Sequence, residues 1–426
     1  MELLYQIAVN LYVFFIHVAA FLGIEKARLW VNGRKNIFQL LENQLNKKSD
    51  NEIRVWFHVA SLGEFEQGRP LIEALRRKFT PPQYPQRLRI ILTFFSPSGY
   101  EIRKNYALAD HIFYLPADSS SHAKRFLTAV QPDICVFVKY EFWHFYLKNL
   151  HQRNVKTLLI SALFHERQIF FRWYGVFFKN ILKNFTHIFV QNEISVTILR
   201  QHGFENVTKA GDTRIDRVLN IANEGKRFEE IERWAAAAPL LIVGSSWQPD
   251  EDILIKIINY NKLIDWKFII APHEIGENNL SRLEGKLTVS SVRYSQLRAA
   301  TEGGKKAQIS TVLIIDNIGM LSALYRYGKV AYIGGGFGRG IHNTLEPIAH
   351  GLPVVFGRKY KRFEEAVKLV EWGGAFAIEN AEDAEKILLS LTHEPTRQQA
   401  ATAAKRYILE NQGATQLILD YFNNGL

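Results

Sequence analysis

Apolar runs and amphipathic runs alternate along this chain. Residues 53–60 (IRVWFHVA) are apolar and rich in β-branched and aromatic side chains, which predicts a buried strand. The segment PLIEALRRKF that follows has its apolar positions at helical spacing, so SLGE joins a strand to a helix. Further strands are predicted at 88–94, 111–114, 133–138, 156–161 and 187–191, with helical patterns between them. A polar, charged interval, TKAGDTRIDRVLNIANEGKRFEE, interrupts the alternation. It resumes with strands at 239–244, 267–271, 311–315, 329–333 and 353–356. Such alternation is the signature of parallel, doubly wound sheets. It predicts two α/β domains facing each other across a cleft, over 31–220 and 221–426, the last helix being free to return to the first domain.

Residues 1–30 differ. Leu3 to Ile24 contains no Lys, Arg, Asp or Glu. At about 1.5 Å per residue that is just long enough to cross a bilayer. Gln6, Asn10 and His17 make it a poor span, and Lys26, Arg28, Arg34 and Lys35 follow at once. If the segment inserts, this flank keeps the rest of the chain in the cytoplasm. If it lies in the interface, the basic residues meet anionic headgroups. A buried core helix is the alternative.

Charge narrows the partners. Lys plus Arg number 53 against 42 Asp plus Glu, a net +11. That suits nucleic acid, an acidic membrane surface or a phosphorylated substrate. No RNP, helix-turn-helix or zinc-finger pattern supports nucleic acid. The one cysteine, Cys135, lies in the apolar run ICVFV, reads as a core thiol and allows no internal disulfide. No Cys/His cluster has zinc-ligand spacing, so no metal is expected.

In parallel sheets ligands bind beyond the carboxyl ends of the strands. The loops reaching Glu64, Gly99 and Trp143 in the first half fall there, as do those reaching Trp247, Glu274, Gly319 and Gly340 in the second. Ser61 and Glu64 form the spacing of a capping box, so Glu64 either only starts a helix or also does chemistry. In IGGGFGRGIHNTLEP, glycines precede a helix expected near His342–Asn343, whose N-terminus would receive a phosphate. The pattern is neither a dinucleotide fingerprint nor a Walker loop. A tight turn is the plainer explanation of the glycines. Glu346 can bond a ribose hydroxyl or simply favour the first turn.

Five motifs occur in order: HVASLGEFEQGRPLIEALR, LTFFSPSGYE, KYEFW, AGDTRID and GRGIHNTLEPIAHGLPVVFG. With the opening MELLYQ, the apolar segment and its basic flank, they resemble the 3-deoxy-D-manno-octulosonic acid (Kdo) transferases of lipopolysaccharide assembly. The resemblance runs over most of the chain. It implies a GT-B glycosyltransferase at the cytoplasmic face of the inner membrane. It would move Kdo from CMP-Kdo to a lipid A precursor (lipid IVA) with inversion, needing neither metal nor cofactor. Glu64 matches the family's general base, and Glu141 and Arg214 match positions used for transition-state stabilisation. Nucleotide contacts would come from Pro272 and His273, from Ile318, Gly319 and Met320, and from Asn343, Thr344, Leu345 and Glu346. The chain departs from the family at Pro272-His273-Glu274-Ile275-Gly276-Glu277, where Pro-Arg-His-Pro-Glu-Arg is common. It departs again at Ile341, for a frequent glycine, and at Arg214, for a lysine.

Residues 164–187 set Phe170, Phe171, Trp173, Tyr174, Phe177 and Phe178 among Arg167, Arg172, Lys179 and Lys183. Aromatics beside cations suit a phosphorylated glycolipid at a membrane surface, or else an amphipathic core helix with a solvated basic face. Two rival functions remain: a GT-B enzyme using a UDP-sugar, and a membrane-attached nucleotide-binding protein without turnover.

Overall fold

Every residue of strand β1 (Glu52–Val59) after Glu52 is buried, because helices cover both faces of its sheet. Trp56 packs with Phe126, Phe137 and Tyr146 on one face, while Val55, Phe57 and Val59 pack with Leu71 and Leu75 on the other. That is why the strand reads as a nearly continuous apolar run, broken only by Arg54 and His58, rather than an alternation. The computed structural model describes residues 1–45, 47–79, 86–299 and 309–423.

Contacts divide the chain into two units: residues 1–216 with the chain from 412 onward, and Arg217–Asn411. In the first unit, β1 is joined by β2 (Arg87–Phe94), β3 (His111–Tyr114), β4 (Ile134–Val138), β5 (Lys156–Ala162), β6 (His187–Val190) and β7 (Val207–Lys209). All pairs are parallel, and the order is β3-β2-β1-β4-β5-β6-β7. Val55 pairs with Ile90 on one side and Ile134 on the other. The last helix, Ala414–Asn423, belongs to this unit: Ile418, Leu419 and Phe422 enter the core beneath β1.

The second unit holds β8 (Leu240–Ser246), β9 (Lys267–Pro272), β10 (Ser291–Arg293), β11 (Val312–Ile314), β12 (Val330–Ile333), β13 (Val354–Gly357) and β14 (Ala375–Ile378). These are again all parallel, in the order β10-β11-β9-β8-β12-β13-β14. Both units are Rossmann-like, each a seven-stranded parallel sheet with helices between its strands.

The N-terminal helix, Glu2–Phe21, is long and apolar enough to cross a membrane, and none of its residues is buried, so it is not a core helix. Part of it rests on the first unit. The Tyr5 hydroxyl donates to Asp118 Oδ2 at 2.7 Å, Lys148 and His144 pair with Glu2, and Tyr12 stacks on Phe95. Phe14, Phe15 and Phe21 are exposed.

Three expectations are corrected. Arg34 does not face lipid headgroups: it donates to the carbonyl oxygens of Leu115, Trp30 and Phe95, and its guanidinium lies over the rings of Trp30, Phe95 and Tyr114. The aromatics of 164–187 do not form one surface. Phe170 is buried and Phe171, Phe177 and Phe178 pack on the core, leaving Trp173 and Tyr174 exposed. The helix expected near His342–Asn343 begins only at Leu345 and spans five residues, Leu345–Ala349, too short to carry a useful end charge.

Candidate active site

The strand order of the first unit reverses direction between β1 and β4, which places a crevice at their carboxyl ends. The two carboxylates singled out from the sequence leave these two strands. Ser61 caps the helix Leu62–Lys78, and Glu64 closes the capping box: its Oε2 accepts the Ser61 amide at 2.9 Å and also the Ser61 hydroxyl. Its Oε1 takes no hydrogen bond from the described residues, and the side chain is half-buried.

The loop after β2 braces this turn. The Ser96 amide donates to the Ala60 carbonyl at 2.7 Å, and a Cβ on Gly99 would strike the Phe94 ring and meet the Ser61 backbone at 3.0 Å. Gly99 is therefore required by close packing of two backbones.

Glu141 follows β4. Lys139 takes a left-handed conformation, φ 68°, uncommon for a residue with a Cβ. Tyr140 then lies 39% exposed and Glu141 only 8% exposed. Glu141 Oε2 receives Trp143 Nε1–H at 2.7 Å and lies 3.1 Å from His58 Nε2. Its Oε1, like that of Glu64, takes no hydrogen bond from the described residues. His58 and Trp143 were not predicted as site residues. His58 lies inside an apolar strand, 83 residues from Glu141, so no local pattern links the two.

Arg214 reaches the same sheet edge through its neighbours. Thr213 Oγ1 donates to the Gln67 carbonyl at 2.5 Å and lies 3.2 Å from Ser161 Oγ, at the end of β5. Arg214 then forks onto Asp212 through Nε at 2.9 Å and Nη2 at 2.5 Å. Burial raises the Asp212 carboxyl, but Arg214 and the charge of Lys139 outweigh it and hold the group below the usual carboxylate range.

In the second unit the order reverses between β8 and β12, and the predicted nucleotide residues collect around that point. The His273 amide donates to the Ser246 carbonyl, tying the loop after β9 to the end of β8. The His273 ring stacks against Trp247, at 4.4 Å, and against His342, at 4.6 Å, while those two rings lie 6.5 Å from each other. Trp247 Nε1–H donates to His342 Nε2 at 2.9 Å, so that nitrogen carries no proton. Burial lowers the His342 pKa, and the charge of His273 lowers it further. Asn343 Nδ2 donates to Glu346 Oε1 at 3.1 Å. Thr344, Leu345 and Met320 are buried, Ile318 is exposed, and Ile318–Gly319–Met320 form the loop after β11. The plainer reading of the glycines has direct support. A Cβ on Gly334 would strike Ser245 and Ser246, and one on Gly336 would strike the backbone of Gly357.

Residues 33–217 match the family model for 3-deoxy-D-manno-octulosonic-acid transferase (kdotransferase). The 3-deoxy-D-manno-octulosonic acid transferase of Haemophilus influenzae is 27% identical, over 86% of each chain. That of Aquifex aeolicus is also 27% identical, over 80% of this chain and 88% of its own. The chain is thus similar to the Kdo transferase family over most of its length. Members of that family are glycosyltransferases, and this chain is an enzyme of that class. Among solved structures, UDP-GlcNAc 2-epimerase from Neisseria meningitidis, bound to UDP-GlcNAc, superposes with a TM-score of 0.59 at 14% identity, over 88% of this chain and 100% of its own. A glycosyltransferase from Rickettsia africae gives 0.53 at 12%, over 88% and 98%. At such identities these two carry the fold alone.

Proposed function

We propose that the enzyme transfers Kdo from CMP-Kdo to a lipid A precursor, lipid IVA, by a single inverting displacement in lipopolysaccharide assembly. The observation that supports this most is the placing of Glu64 and Glu141 after adjacent strands at the β1/β4 reversal, inside the region matching the family. The acceptor is a sugar hydroxyl, a poor nucleophile until a base removes its proton. Glu64 Oε1 is our candidate base. Glu141 Oε1 would face positive charge developing at the anomeric carbon. Arg214, sharing its guanidinium with Asp212, would meet the departing CMP phosphate, so that side chains supply the charge otherwise brought by a metal. Pro272, His273, Ile318–Met320 and Asn343–Glu346 would hold the nucleotide.

The helix Glu2–Phe21 would attach the enzyme to the inner membrane, its apolar side in lipid and its catalytic units on the cytoplasmic side. The test is incubation of purified protein with CMP-Kdo and a tetraacylated lipid A precursor, followed by mass spectrometry. One or more Kdo additions support the reading. Competition between CMP and UDP addresses the UDP-sugar alternative, and CMP binding without turnover of CMP-Kdo would leave the non-catalytic one.

A further inference from the structure

We propose that His58 is a positioning residue for Glu141: it pins one carboxylate oxygen so that the other stays available for the reaction. This rests on the reading of Glu141 given above. His58 is fully buried in the middle of the first unit's sheet. Its ring is held at both nitrogens, with Nδ1 2.8 Å from Thr93 Oγ1 and Nε2 3.1 Å from Glu141 Oε2.

Thr93 Oγ1 accepts Trp56 Nε1–H at 2.8 Å and has one hydrogen to give. The His58 nitrogen is nearer to it, at 2.8 Å, than the Phe57 carbonyl, at 3.3 Å. The hydroxyl therefore donates to Nδ1, which leaves the proton of the neutral ring on Nε2, aimed at Glu141. Trp143 Nε1–H lies 2.7 Å from the same oxygen and 3.0 Å from His58 Nε2, and its proton goes to the nearer, charged acceptor. Both N–H donors converge on Oε2 while Oε1 takes none from the described residues. Two donors on one oxygen fix the plane and rotation of the carboxylate. A working group must be held to within a fraction of an ångström to act. The chain Trp56–Thr93–His58–Glu141 runs from the packed core to the edge of the strands.

The test uses the full chain. His58→Phe fills the site but gives Glu141 no donor, whereas His58→Gln keeps an N–H at the position of Nε2. The Phe variant should lose about 10²-fold in kcat, the scale of a misplaced catalytic group, with KM for CMP-Kdo and CMP affinity unchanged. The Gln variant should recover at least a tenth of the wild-type kcat. A folded Phe variant with wild-type kcat, or a Gln variant as slow as the Phe one, overturns the proposal.

Imidazole ¹⁵N NMR on the wild-type protein judges it without any variant having to fold. The Nε2–H tautomer is required, and an Nδ1–H tautomer overturns it. Glu141→Gln is measured in parallel. If it turns over at the wild-type rate, the reading of Glu141 fails, and the proposal for His58 fails with it. Loss of kcat in Glu141→Gln together with wild-type kcat in His58→Phe refutes the proposal for His58 alone.

Discussion

Glu64 caps the backbone amide of Ser61 at 2.9 Å with a single oxygen, Oε2, and leaves Oε1 to other partners. Capping and proton abstraction are therefore compatible in one side chain, and they can be separated by substitution. Glu64→Gln can still complete the capping box, because Gln serves at that position. Stability should change little while turnover falls by about 10²–10⁴-fold, the usual contribution of a general base. Glu64→Ala should lose the cap as well and cost roughly 1 kcal/mol of stability. If the Gln variant turns over like wild type, Glu64 is only a cap, and Glu66 and Glu141 are the next bases to test.

Nucleotide binding can be probed on the second unit's loops. Glu346→Ala should weaken CMP binding by about 1.5–3 kcal/mol, the range for hydrogen bonds to a charged group. It also frees the Asn343 amide that now donates to Glu346. Calorimetry giving the same CMP affinity for both proteins would remove Glu346 from the site.

Acid should destabilise the protein before most of its carboxylates protonate. Burial lowers the pKa of His187, His342 and His350 below the usual 6.5, with Lys156, His273 and Arg326 adding to the effect. The unfolded chain then binds more protons than the folded one just below that value, so stability falls as the pH drops through it. Asp118 acts in the opposite sense: burial outweighs its hydrogen bonds and raises it to about 6, so its protonation favours the fold as the pH drops. Burial lowers His111 and His144 as well, and raises Asp250, so five histidines stand against two acids and the net is a loss. Urea unfolding at about pH 7.5 and about pH 5.5 should show lower stability at the lower pH. The difference should shrink in His187→Gln and His350→Gln, and equal stability at both would contradict the burial argument.

Much of the architecture was legible because parallel strands covered on both faces become continuous apolar runs, as in 53–60 and 88–94. The missed strands, Val207–Lys209, Ser291–Arg293 and Ala375–Ile378, are three or four residues long, and all three lie at sheet edges, where one neighbour and short length leave little pattern. Arg34 was counted as a surface cation because sequence carries charge but not surroundings. Its aromatic and carbonyl partners Phe95 and Leu115 lie 61 and 81 residues away. His58 was hidden for the same reason, and so was the stacking of His273 against Trp247 and His342, the three coming from separate loops.

Membrane attachment can be tested by deleting the first ~25 residues, a length set by the spanning argument. The truncated protein should leave the membrane fraction. It should stay folded, because the helix contributes no buried residue. Tyr5→Phe should remain membrane-bound and lose about 1 kcal/mol from the hydrogen bond to Asp118. A truncated protein still sedimenting with membranes after a high-salt wash would place the attachment elsewhere.

The C-terminal helix gives the last prediction, because it completes a core that the rest of its unit begins about 200 residues earlier. Asp216 accepts the amides of Gly413 and Thr415, both at 2.6 Å, and so anchors the start of that helix. Phe422 and Ile418 are fully buried against the core that includes Leu71 and Leu75. Phe422→Ala removes a large side chain from a packed interior, which costs about 3–5 kcal/mol. Asp216→Ala leaves two amides at the helix start without their acceptor and costs about 1–2 kcal/mol, as for other lost caps. Both losses fall on the first unit alone. Thermal unfolding should therefore show an earlier transition for that unit, while CMP, assigned to the other unit, still binds to the protein below that transition. A Phe422→Ala protein that melts as the wild type does would mean that the helix Ala414–Asn423 adds nothing to this core in solution.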